Sequence, residues 1–124
     1  MQHDGFERWL NAYFAAWISN EPDDVAALFV EDASYSVGPF AEAWAGRDEI
    51  VRRWTSEAQE DVEYTYEILA VDGDTGIAHW SVRARVQGET VRGEWDGILL
   101  ITFAPDGRCR EHREWLARRE LPAG

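Results

Sequence analysis

His112 and Glu114 stand two residues apart in a run where Arg110, His112, Glu114 and Leu116 alternate with Cys109, Glu111, Arg113 and Trp115. On an extended strand each set shares one face, so the first face carries an imidazole beside a carboxylate. Such a pair can move protons to and from a bound molecule. Parity alone leaves open which face is inside. Burial would raise the Glu114 pKa, a charged partner would lower it, and the sequence leaves that balance open. Asp96 is a further acid candidate: its parity relative to Trp95 points outward, and a bulge at Gly97 would reverse it. No metal site is expected, because the three histidines lack ligand spacing.

These residues need elements to hold them. Phe6, Trp9, Leu10, Tyr13, Phe14, Trp17 and Ile18 recur at helical spacing, and Asp4 with Glu7 resembles a capping box, which predicts a helix over 5–19. Pro22 suits a first turn, and Val25, Leu28 and Phe29 give a second helical stripe ending near Glu31 and Asp32. An extended piece over 33–37 follows. Ile50, Val51 and Trp54 mark a third helix, with Asp48 and Glu49 in its first turn. From Val62 the period changes to two, and turns at VDGDTG, QGE and PDG divide four long strands into an antiparallel meander. Helices first and strands after predict an α+β layer with three helices packed on one face of a curved sheet. On the second long strand Ala78, Trp80, Val82, Ala84 and Val86 form the apolar face, which places His79 on the outer one.

Composition closes several function classes. A chain of 124 residues with 45% apolar residues makes one domain with a real core. A net charge of −12 disfavours nucleic acid and anionic membranes as partners. There is no lysine, which removes Schiff-base chemistry and a phosphate-loop lysine. Cys109 is the single cysteine, so no internal disulfide forms and a reducing, cytoplasmic setting is expected. Neither a signal core nor a long apolar run is present. Seven tryptophans suit a wall that contacts apolar ligands, and equally a packed core. Ile98 and Leu100 on the nominal outer face predict a homodimer through the sheet.

The phrases ALFVEDASY, AGRDEI and FAPDGRCREHREW, in this order of elements, resemble the SnoaL-like branch of the nuclear transport factor 2-like superfamily over nearly the whole chain. The resemblance implies a cone-shaped fold around one apolar pocket. In ketosteroid isomerase and limonene epoxide hydrolase the positions matching His112 and Glu114 line that pocket. Tyr13 matches a helix-one tyrosine of the isomerase, and Tyr35 a pocket tyrosine of the hydrolase. Departures count against both activities. Val37 and Leu99 stand where the isomerase needs carboxylates, and the strand over 77–86 lacks the carboxylate of the hydrolase.

The sequence therefore leads to a small-molecule pocket protein. One reading is a cofactor-independent acid/base enzyme acting on an apolar oxygenated metabolite; the other is a non-catalytic binding or dimerisation module. His112, Glu114, Tyr13 and Asp96 are the catalytic candidates. Tyr35, Trp80, Val82, Leu99, Ile101 and Leu116 are the expected ligand contacts.

Overall fold

A computed structural model describes residues 2–122. Three helices, α1 (His3–Ser19), α2 (Pro22–Ala26) and α3 (Arg47–Thr55), pack on a sheet of six strands. The strands are β1 (Phe29–Ser36), β2 (Trp44–Ala45), β3 (Gln59–Asp72), β4 (Thr75–Val86), β5 (Arg92–Phe103) and β6 (Cys109–Glu120), in spatial order β2-β1-β6-β5-β4-β3. All neighbours are antiparallel except β1 and β6, which run parallel.

The apolar stripe of α1 dictates how it sits. Phe6, Trp9, Leu10, Tyr13 and Phe14 are buried against the sheet, and each large side chain so buried contributes about 1.5–3 kcal/mol. The helix ends where Asn20 turns left-handed and its N–H returns to the Ala16 carbonyl at 2.9 Å. Its start differs from the expected capping box. Gln2 is the N-cap, no side chain caps it, and Asp4 instead sits inside the first turn, where the helix dipole favours an acid.

The second helix is also shorter than its stripe predicts. It stops at Ala26, and Phe29 opens β1 opposite Cys109, with the Cys109 N–H donating to the Leu28 carbonyl at 2.8 Å. Apolar side chains at short range fit either period; the distant β6 edge decided for the strand. The two-residue β2 had no sequence signal.

Alternation predicts the sheet faces well. Ala78, Trp80, Val82 and Ala84 on β4, and Leu99, Ile101 and Phe103 on β5, are buried on the inner face. The β5–β6 turn over Pro105, Asp106 and Gly107 needs a positive φ of 90° at Gly107, which costs glycine little. Asp106 Oδ1 accepts the Arg108 N–H there at 2.9 Å.

Gly97 makes no bulge. It keeps register with Trp80 on one side and Leu116 on the other. Asp96 therefore stays on the outer face, exposed, where it binds His79 and Ser81. This corrects its placement as a pocket acid: with the ladder continuous, period-two alternation carries its side chain away from the helices. No helix among the described residues is long and apolar enough to cross a membrane.

Candidate functional site

The parallel pairing of β1 with β6 sets Tyr35 beside His112 in register. Their rings stack 3.8 Å apart, 5° from parallel. Tyr13 reaches the same point from α1: its hydroxyl lies 3.0 Å from the Tyr35 hydroxyl and 3.3 Å from His112 Nε2. His112 is fully buried, and burial pushes its pKa down to about 3, so the ring is neutral. Its Nδ1 makes no hydrogen bond of ordinary geometry among the described residues. Burial, and then the charge of Glu114, hold both phenols well above their ordinary pKa.

Two residues along β6, Glu114 shares the inner face with His112 and is 5% exposed. Burial raises its pKa to about 8, so the carboxyl is protonated at neutral pH. No hydrogen-bond or ion-pair partner meets it among the described residues. The expected His112–Glu114 pair is therefore not a bonded one. His112 bonds to Tyr13, because the i, i+2 spacing of a strand aligns two side chains along one face without bringing their tips together.

Glu114 looks into a cavity of about 220 Å³. Five indoles from five elements wall it: Trp17 from α1, Trp44 from β2, Trp54 from α3, Trp80 from β4 and Trp95 from β5. Tyr35, Val37 and Leu116 complete the wall with Asn20, Arg53, Glu57 and Gln59. Arg53, Glu57 and Leu116 are exposed and mark its mouth. Gln59 accepts a short hydrogen bond from the Trp17 indole N–H. The Trp80 indole N–H is buried without an acceptor among the described residues.

Of the expected ligand contacts, Tyr35, Trp80 and Leu116 line this cavity. Val82, Leu99 and Ile101 are fully buried in the core and do not line it. Tyr13 and His112 form a second layer behind Tyr35. Trp17, Trp44, Trp54, Trp95, Asn20, Val37, Arg53, Glu57 and Gln59 were missed as liners. The tryptophan count was the one available signal, because no local pattern tells a core indole from a cavity indole. A larger open groove, about 670 Å³, lies at the other end of the molecule between the start of α1 and the β5–β6 turn, remote from Glu114. His3, Asp4 and Glu7 approach one another on the exposed first turn of α1; they are the sole cluster of potential metal ligands among the described residues.

Three helices on one face of a curved, mostly antiparallel sheet define the nuclear transport factor 2-like cone fold. The chain belongs to the SnoaL-like domain family, whose sequence profile matches residues 10–112. No curated protein matches it. Among solved structures it is similar to SalBIII, an epoxide hydrolase/cyclase-like enzyme in pyran ring formation in the polyether salinomycin, at 15% identity and a TM-score of 0.77 over 94% of this chain and 95% of that one. A ketosteroid isomerase-like protein from Erwinia carotovora atroseptica is 18% identical, with a TM-score of 0.69 over 87% and 90% of the two chains. An epoxide hydrolase of Mycobacterium tuberculosis resembling limonene epoxide hydrolase is 17% identical, with a TM-score of 0.69 over 89% and 80%. At these identities the likeness concerns the fold.

Proposed function

We propose that the chain is a cofactor-independent acid/base enzyme of the isomerase, cyclase or hydrolase type, acting on an apolar oxygenated metabolite held between the tryptophans. The observation that carries this reading is Glu114: a nearly buried carboxyl, without a partner among the described residues, facing an aromatic cavity. A carboxyl with a pKa near 8 is poised to give a proton at neutral pH and take one back. Tyr35, held flat between His112 and Trp44, offers a hydroxyl to a substrate oxygen. Tyr13 and the neutral His112 position that phenol.

The reading as a binding module draws on one observation. His112 is sealed behind Tyr35, so Glu114 is the single buried carboxyl or imidazole that reaches the cavity among the described residues. Glu114→Gln separates the two. For an enzyme, turnover of a substrate found by screening apolar epoxides, enones and hydroxyketones falls about 10²–10⁴-fold with affinity near wild type. Unchanged turnover and an unchanged pH profile in that variant overturn the acid/base role.

Assembly belongs to the same proposal. The outer face carries Ile77, Ile98 and Leu100 half-buried and Trp115 38% exposed, side by side across β4, β5 and β6. Arg83, Glu94 and Arg119 fringe it with alternating charge, joined through Glu94. A second copy of the chain covers this face and matches it by two-fold symmetry.

A further inference from the structure

We infer that the tryptophan cavity binds an organic cation, a small alkylammonium head group held against the indole faces, with the Glu114 carboxylate as its counter-ion. This rests on the reading of the cavity as the ligand site, and it names the chemistry of the group that enters. An indole face is the best neutral surface for a cation, because its quadrupole puts negative potential above the ring. Trp17, Trp44, Trp54 and Trp80 approach the cavity from four different elements, so a centred cation meets aromatic surface on several sides. The cavity rim already shows the geometry in use: the Arg118 guanidinium lies over the Trp95 ring at 5.0 Å.

Charge balance points the same way. Glu114 is the sole carboxyl in the interior of the cavity and has no protein cation as partner among the described residues. Arg53, the one basic side chain of the wall among the described residues, is half exposed at the mouth and 3.5 Å from Glu49. An anionic ligand would meet Glu114, Glu57 and a chain of net charge −12. A cation is drawn by that same field, and its entry converts a neutral carboxyl into half of a compensated pair. At about 220 Å³ the space is smaller than the 300–1,000 Å³ of drug-sized pockets, which limits the guest to a compact head group on an otherwise apolar body.

Binding then releases a proton from Glu114. The groups that face Glu114 set the window. Tyr35 with Tyr13 behind it stays un-ionised, and His112 stays neutral. Arg53 and Glu57 stand at the mouth, Gln59 and Leu99 bring no charge, and Arg118 is turned to Glu89 at 3.7 Å. Affinity for a permanent cation accordingly rises with pH and levels off above about 8, where the free carboxyl is already ionised.

The test is calorimetric titration with choline and with 3,3-dimethylbutan-1-ol, its uncharged isostere, from pH 6 to pH 9. Choline is expected to bind at least about tenfold more tightly at pH 8, with affinity rising with pH and a proton released below it. Glu114→Gln, which keeps the shape, is expected to lower choline affinity about tenfold or more and leave the alcohol unchanged. Tighter binding of the alcohol, or choline binding that ignores both pH and Glu114→Gln, overturns the cation inference and leaves the pocket reading standing. Binding of neither probe at millimolar concentration overturns the cation inference; if apolar epoxides and enones also leave the melting temperature unchanged, the pocket reading falls as well.

Discussion

Tyr35 lies flat on His112, ring centroids 3.8 Å apart, and shares its hydroxyl with Tyr13 at 3.0 Å. A tyrosine with its ring clamped and its oxygen tethered presents one edge to the cavity with little freedom. That rigidity is what a site needs in order to aim a donor at a ligand oxygen.

The first prediction concerns alkaline stability. The folded pKa of Glu114 is raised from 4.5 to about 8, so between those values the folded state holds a proton that the unfolded state has released. Stability must fall as pH rises through this window, by about 1.4 kcal/mol per pH unit and roughly 4–5 kcal/mol in all. Glu114→Gln is expected to abolish that loss, which urea unfolding at pH 5 and pH 8.5 measures directly. Equal pH dependence in both proteins would contradict a buried, unpaired carboxyl.

His112 gives the opposite slope. Its folded pKa is depressed from 6.5 to about 3, so its contribution is complete above 6.5 and is lost as pH falls toward 3. Between 4.5 and 6.5 the two slopes offset each other, and wild-type stability is expected to be flat there. His112→Phe keeps a ring against Tyr35 and removes the titration, so the acid limb should flatten while the alkaline limb persists.

Tyr13 and Tyr35 predict unequal costs. Tyr35→Phe removes one hydrogen bond and is expected to cost about 0.5–1.5 kcal/mol. Tyr13→Phe strands both the Tyr35 hydroxyl and His112 Nε2 in the core and should cost about 1–3 kcal/mol. Denaturant midpoints at constant slope test the order. A reversed order would mean that Tyr13 is not the centre of the array.

Gly97 allows β6 to approach. A methyl group there would lie 2.5 Å from the Trp115 carbonyl oxygen and 2.9 Å from Leu116 Cβ, and neither can turn aside. Gly97→Ala is expected to destabilise by about 1–3 kcal/mol and, by moving Leu116, to alter ligand binding. Gly76→Ala meets the Phe6 ring at 2.6 Å, and neither residue lines the cavity. It should destabilise without changing ligand affinity. Thermal melts with and without ligand separate the two.

Leu100→Asp tests the pairing of two copies. An unpaired charge in a covered apolar face is strongly unfavourable, so sedimentation should show the wild type as a dimer at micromolar concentration and the variant as a monomer. A monomeric wild type would remove the proposed assembly.

The sequence by itself determined what is local. Helical spacing from Phe6 to Ile18 specified α1, alternation through β4 specified its buried face, and turn residues separated the meander strands. Parity also put His112 and Glu114 on one face and His79 on the other. These follow from periods of 3.6 and 2, which the chain carries in its own order. What lay beyond sequence is non-local. The parallel edge of β1 against β6 decided that Phe29 belongs to a strand and that Tyr35 lies on His112. A contact spanning 99 residues made Tyr13, rather than Glu114, the partner of that imidazole. Five tryptophans scattered from position 17 to position 95 became one cavity wall only when five elements closed around the same space. Burial then decided protonation: the same closure that removed water from Glu114 and His112 pushed one pKa up and the other down, and no spacing in the chain encodes how much water a side chain keeps.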